Sequence, residues 1–217
     1  AMLTAKAVAY LNVDVAVTGP TFAASGAPSM RDVMREVVAL VPEPRAGGTV
    51  GAAWEKRLKD AWATSTPVRV DTPDREFEMQ LNRLGSGSDY TVFLDFLGIP
   101  STDMGFSGSY GVYHSVYDNF RWMSRFGDPE FIYHQAAARI LGLLAMRVAS
   151  ADVAPLRFSG YARALSDDLD EIRTDIMKRA RTAGAAAFRP DFAPITKALA
   201  DLGAAGRAAD DAATRTA

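Results

Sequence analysis

The chain contains no cysteine and only two histidines among its 217 residues. Disulfides, zinc-thiolate sites and thiol nucleophiles are therefore closed to it. The missing cysteine leaves the compartment open, because exported proteins also do without it. Charge of one sign is lacking too. A net charge of −2 gives no basic footprint, which argues against a nucleic-acid partner. Nor is there a long apolar run. The longest apolar helix candidate, Phe131 to Ala149, is interrupted by His134, Arg139 and Arg147, so no membrane span is expected. The first residues show no basic-then-apolar leader pattern.

What is present reads as an ordinary globular protein, 48% hydrophobic and 23% charged. Such a length buries a sizeable core, as one large domain or a domain plus an appendage. The apolar run from Lys6 to Asp14 has the pattern of a buried strand ending in a carboxylate. Between Ser29 and Val41, Val33, Val37, Val38 and Val41 recur at helical spacing, and Pro42 and Pro44 stop the helix. A second short helix is expected around Trp54, Leu58 and Trp62, whereas Pro67 to Leu84 has no clear period.

Gly85-Ser86-Gly87-Ser88-Asp89 precedes a helical segment, Tyr90 to Leu97, with Val92, Phe93, Phe96 and Leu97 on one face. Asp89 suits its N-cap and Gly98 its C′ position. A short strand is expected from Ile99 to Phe106, then an amphipathic segment from Ser115 to Phe126. The last third is helical. One helix opens at Asp128-Pro129-Glu130 and repeats Ile132, Ala136, Ile140, Leu144 and Val148. Another, Ser159 to Thr182, carries Leu165, Leu169, Ile172 and Ile176, and a third runs from Pro194 to about Leu202. Gly203 to Ala217 is alanine-rich without a large apolar residue, so the expectation is that nothing anchors it. The fold class is α/β: a partial mixed sheet with flanking helices, followed by an antiparallel helical segment.

The chemistry-bearing stretch is Gly111-Val112-Tyr113-His114-Ser115-Val116-Tyr117-Asp118. It sets a histidine in a turn-like segment, where an imidazole is available as a metal ligand or proton carrier. His134, by contrast, lies within a helix and reads as structural. The acidic run Asp167 to Glu171 lacks loop-ligand geometry for calcium and reads as a solvated helix face. Taken singly, Asp14 is a strand-ending turn residue, Tyr113 a half-buried aromatic, and Ser86-Gly87-Ser88-Asp89 a strand-to-helix turn.

Taken together, three segments resemble the glutamate carboxypeptidase II family, the N-acetylated-alpha-linked acidic dipeptidases, which includes the transferrin receptor. They are Val8 to Asp14, Leu84 to Phe93, and Tyr113 to Asp118 followed by Phe126-Gly127-Asp128-Pro129. The resemblance implies a zinc exopeptidase-like fold acting on a peptide substrate with two zinc ions. It implies that Asp14 and His114 are ligands of different zincs, and that Tyr113 bonds the substrate carbonyl as it becomes an oxyanion. It further implies that Ser86, Gly87 and Ser88 line the substrate site. Carboxylate and imidazole are ordinary hydrolytic zinc ligands, and a metal pair activates water while clamping the attacked carbonyl.

By the same resemblance, residues 1–127 match the C-terminal part of a zinc peptidase domain. Residues 128–217 match the start of a transferrin receptor-like dimerisation domain, with a homodimer through the helices. The family's remaining ligands and its glutamate base have no counterpart here. The expectation is thus an internal fragment of a larger peptidase, inactive and metal-free alone. Members preferring acidic dipeptides carry arginines where this chain has Pro100 to Met104, and an asparagine in place of Ser88. A preference for acidic peptides is therefore not implied. Family members act outside the cytoplasm, which implies a periplasmic or secreted setting. The alternative is a non-catalytic, receptor-like or dimerisation module.

Overall fold

A computed structural model describes residues 2–64, 76–185 and 188–216. Helix α1 (Met2–Lys6) precedes strand β1 (Tyr10–Asn12), which is shorter than the run of apolar residues predicts. Strand β2 (Thr21–Gly26) follows, then a 3-10 turn, Pro28–Met30, leading into α2 (Arg31–Leu40), and then α3 (Val50–Thr64). Residues 67–75 of the unpatterned stretch lie outside the described residues. Strand β3 (Ser101–Ser107) completes a mixed sheet of order β1-β3-β2. β3 runs parallel to β1 and antiparallel to β2.

The central strand divides the molecule by side-chain alternation. Thr102, Met104 and Phe106 face the core, and Phe22 and Ala24 of β2 stand opposite Phe106 and Met104. Phe106 meets both Phe22 and Tyr133 at 5.3 Å, and Trp54 edges onto Phe22 at 5.2 Å. Helix α2 contributes Val33, Met34, Val37 and Val38, all essentially inaccessible. Each such burial stabilises by roughly 1.5–3 kcal/mol. Pro42 and Pro44 follow the end of α2, as the sequence predicts.

Helix α5 (Ile132–Ala149) buries Ala136, Ile140 and Leu144 in this same core, which is what their four-residue spacing predicts. It begins later than expected. Asp128 is 2% exposed, and its carboxylate accepts from the backbone N–H of Ile132, Tyr133 and His134 at 3.2, 3.0 and 3.0 Å. Capping by this buried carboxylate, rather than Pro129 at the first helical position, fixes the start.

Two segments expected to present a single apolar helical face do not. The 90–97 segment is wound wide, with a π-helical turn at Val92–Phe96. Gly98 ends it at φ +66°, donating to Leu94 at 3.2 Å. Widening rotates successive side chains off one stripe. Phe93 stacks on Tyr10 at 3.9 Å and Leu94 packs on the core, while Phe96 is left 80% exposed. The 115–126 segment forms only α4 (Phe120–Trp122) and another π-helical turn, Met123–Gly127. Val116 and Phe120 stay exposed there.

Helices α6 (Ser159–Thr182) and α7 (Ala193–Thr216) form an antiparallel hairpin. The expectation that the alanine-rich tail is unanchored is overturned: α7 continues through it to Thr216. Alanine is the strongest helix former, and small residues let two backbones approach closely. A Cβ on Gly206 would lie 2.8 Å from the Ser159 backbone, and one on Gly203 would lie 3.3 Å from Ala162. Contact here comes from closeness rather than from large side chains. Leu165 and Ile172 of α6 are correspondingly exposed, whereas Leu169 is buried. The predicted Asp175–Arg179 pair forms on the solvent side at 2.6 Å.

Asp210 of α7 also caps α6, its two carboxylate oxygens accepting from Phe158 N at 2.6 Å and Ser159 N at 3.1 Å. Burial pushes this carboxyl up, but the hydrogen bonds from Ser159 and Phe158 and the nearby Arg157 outweigh it. The net effect holds the carboxyl below the ordinary aspartate range. A depressed carboxyl stabilises the fold above its unfolded pKa and loses that contribution as pH falls through the folded value. Asp210→Asn should therefore cost about 1 kcal/mol at neutral pH and progressively less in strong acid. Urea denaturation at both pH values measures this, and equal stabilities at pH 7 would remove the contact as a source of stability.

Candidate active site

Asp14 sits in a bulge. Asn12 stands opposite Asp103, and Val17 is bridged to Phe106. Between these two pairings the β1 side carries two more residues than the β3 side. The extra length throws Val13, Asp14 and Val15 out of the ladder, as bulges beside functional sites commonly do. Pairing resumes beyond it, with Phe106 N donating to Ala16 at 2.9 Å. Gly105 permits the crossing, since a Cβ there would lie 2.5 Å from the Val15 carbonyl oxygen. The bulge is pinned by Asp103, whose Oδ1 accepts from Asp14 N at 3.3 Å and Asn12 Nδ2 at 3.1 Å.

The Ser86-Gly87-Ser88 turn is tied to the same point. Asn12 Nδ2 also donates to Ser88 Oγ at 3.0 Å. Gly87 adopts φ +117°, a backbone that glycine takes without strain. Its N–H donates to Thr91 Oγ1 at 3.3 Å. Ser86 and Gly87 are exposed, and Ser88 is half-buried. Ser88 O accepts from Thr91 N at 3.0 Å, closing the turn into the following helix. Asp89, expected as the N-cap, takes no part in this closure.

His114 and Tyr113 lie in the loop that leaves the carboxyl end of β3. Both are exposed and stack on one another at 3.8 Å. His114 holds φ +57°, which side chains with a Cβ rarely adopt. The loop is braced by Tyr110, whose hydroxyl donates to Asp118 and whose ring edges onto Trp122 at 5.0 Å. Burial, then the bond to Asp118 and its charge, pushes the Tyr110 phenol up to about 12. Ser115 Oγ donates to Val112 O at 2.7 Å and so tightens the turn around the histidine.

The two histidines sit in different surroundings. His134 is engaged, its Nδ1 2.8 Å from the buried Asp128 carboxylate. Among the described residues, the side chains of His114 and Asp14 have no hydrogen-bond partner. Because β1 and β3 are parallel, Asp14 and His114 both lie beyond the carboxyl ends of neighbouring strands. Open α/β sheets bind ligands at that end. Two further participants, Asn12 and Asp103, escaped the sequence reading. Their signal was a polar residue at an otherwise apolar strand end, and an acid inside a predicted strand.

The donor chemistry of Asp14 and His114 fits zinc, but their number does not. Among the described residues, no group of three or more histidine, cysteine, aspartate or glutamate side chains could hold a metal ion. Nor, among those residues, is any helix long and apolar enough to cross a membrane.

No protein-family model matches the chain. Among curated proteins, it is 34% identical over 207 residues to an Arabidopsis thaliana protein named "Probable glutamate carboxypeptidase". That match covers 95% of this chain and 27% of the relative. An Arthroderma benhamiae protein of the same name is 35% identical over 176 residues, covering 79% of this chain and 22% of the relative. The aminopeptidase NAALADL1 of Mus musculus is 31% identical over 176 residues, with 77% and 22% covered. The chain belongs to the glutamate carboxypeptidase family, and its fold is the mixed α/β architecture expected. It spans about a quarter of the length of the curated relatives it matches.

The bulge gives a direct test of this architecture. Gly105→Ala should destabilise the chain by about 1–3 kcal/mol, because the new methyl must displace the Val15 backbone. Denaturation midpoints would record it. A neutral substitution would mean that the bulge does not hold its place against β3.

Proposed function

We propose that this chain is one segment of a co-catalytic dizinc exopeptidase, of carboxypeptidase or dipeptidase type, that hydrolyses terminal peptide bonds. The observation that carries the reading is that Asp14 and His114, neither with a side-chain hydrogen bond among the described residues, follow the carboxyl ends of two neighbouring parallel strands. Family membership and the peptidase names of the relatives support it. In this reading Asp14 and His114 each contribute one ligand to a different zinc. The other ligands and the general base come from elsewhere in a polypeptide of the relatives' length. Zinc supplies Lewis acidity and lowers the pKa of water.

The chain's own residues do the rest. Tyr113 donates a hydrogen bond to the substrate carbonyl oxygen as negative charge develops on it. Ser86, Gly87 and Ser88 line the substrate position, and the Asn12–Ser88 bond fixes that turn against β1. One ligand cannot hold a metal against water, so the segment alone is inactive and metal-free. In the polypeptide of full family length, Tyr113→Phe should lower kcat by roughly 10²–10³. Asp14→Ala or His114→Ala should abolish both turnover and stoichiometric zinc. Peptide hydrolysis and zinc analysis read both, with the 217-residue chain as the negative control. Turnover or stoichiometric zinc in that chain would contradict the assignment.

Residues 1–127 then belong to the peptidase domain and 128–217 to a helical dimerisation segment. Ile172, Ile195 and Leu202 on the α6–α7 hairpin are exposed, which favours a homodimer through these helices. It equally supports the second reading, a dimerisation or receptor-like module without catalysis. Light scattering of the purified chain should show a dimer. A strict monomer at high concentration would remove both the contact and the second reading.

A further inference from the structure

We infer that the chain carries a second binding site, for a small monocarboxylate with a flat apolar body, in the cavity between α3 and the edge of β2. This cavity shares no residue with Asp14, Ser86 to Ser88, Tyr113 or His114. The inference therefore stands apart from the peptidase reading.

The cavity holds about 300 Å³, at the lower end of the range for small-molecule sites, so its occupant is of single-ring size. Its wall is aromatic, lined by Phe22, Trp54, Phe106 and Tyr133. Contacts among these four rings fix the wall before any ligand arrives. Val50, Ala53, Trp54 and Arg57 recur at three- and four-residue spacing on one face of α3. That spacing brings a guanidinium to the same cavity as the rings.

Charge decides the ligand. Among the described residues, Glu43, Arg45 and Arg57 are the charged side chains of the lining, and two of them are already matched. Arg45 pairs with Glu130 at 3.1 Å. Glu43 accepts from the backbone N–H of Arg45 at 2.8 Å and of Ala46, and from the Tyr133 hydroxyl at 3.4 Å. Arg57 takes part in no ion pair among the described residues. Its Nη2 donates to the Phe22 carbonyl oxygen on the sheet edge, a role that uses one of five guanidinium N–H donors. Burial pushes its pKa down, and no neighbouring charge opposes the shift. The cation has lost part of its water, yet the residue is exposed and open to a ligand. A carboxylate takes two parallel hydrogen bonds from such a fork, with its apolar body against the rings. A second negative charge on the ligand would meet Glu43, which favours a monoanion over a dicarboxylate.

The test titrates the 217-residue chain, isotope-labelled for NMR, with benzoate, benzamide, acetate and phthalate. Benzoate should give saturable shifts of the Trp54 indole N–H and the Arg57 Nε–H. Its affinity should exceed that of benzamide and of acetate by roughly tenfold or more, and phthalate should bind more weakly than benzoate. Arg57→Gln should lower benzoate affinity by about tenfold or more, and Arg57→Lys, which keeps the charge but not the fork, should retain part of it. Ala53→Leu, at an exposed position of α3, should fill the cavity and weaken benzoate while leaving Arg57 in place. If Arg57→Gln does not fold, Ala53→Leu and the comparison of benzoate with benzamide on the unmodified chain decide. Equal binding of benzoate and benzamide, tighter binding of phthalate, or unchanged benzoate affinity in either variant overturns the inference. So does the absence of shifts at Trp54 and Arg57.

Discussion

The carboxylate of Asp103 is the contact on which the candidate site depends. It is on the central strand, on the face opposite Met104 and Phe106, and takes hydrogen bonds from Asn12 and Asp14. Those bonds hold β1 through a two-residue excursion that would otherwise slide back into the ladder. The core on the other face keeps β3 from moving, because Phe106 is locked between Phe22 and Tyr133. One strand thus couples the stability of the core to the position of the chemistry. A rigid strand locates a carboxylate more closely than a loop does.

The His114 loop is built by a different route. It has no ladder to hold it, and its shape comes from short-range bonds within 110–122. Tyr110 reaches Asp118, Ser115 reaches Val112, and Asn119 Oδ1 accepts from Trp122 N at 3.1 Å. These bonds confine the loop around a histidine in a left-handed backbone. A conformation that costs free energy persists only where its surroundings over-determine it, and such places are often functional. The surrounding aromatic side chains are exposed, Phe120 and Tyr117 among them.

The helical hairpin shows how small residues replace a conventional core. Gly160 lies against the Pro28 carbonyl, where a Cβ would come within 2.8 Å, and Gly206 lies against Ser159. Ion pairs join the hairpin to the rest. Arg163 meets Glu78 at 3.3 Å, and Arg83 meets Glu171 at 2.7 Å. The Arg83 pair is largely exposed and contributes little. The Gly206 contact and the Asp210 cap hold the two helices together, and the close approach of Gly160 to Pro28 attaches the pair to the rest.

Periodicity alone determined much of the fold. The valines of α2, the four-residue repeat of α5 and the limits of α6 follow from 3.6-residue spacing and from prolines, which act locally. The family was legible because the short segments that hold Asp14, Ser86 to Ser88, Tyr113 and His114 follow one another in a fixed order. What sequence could not decide depended on contacts between distant residues. The π-helical turns, the exposure of Phe96 and Val116, and the late start of α5 at a buried carboxylate belong to that class. So does the anchoring of the alanine-rich tail, because hydrophobic patterning registers large side chains and is blind to two backbones meeting. The bulge at Asp14 was hidden for the same reason: it exists only because Asn12 and Val17 pair with β3 at positions too close together, and that mismatch appears only once two strands lie side by side.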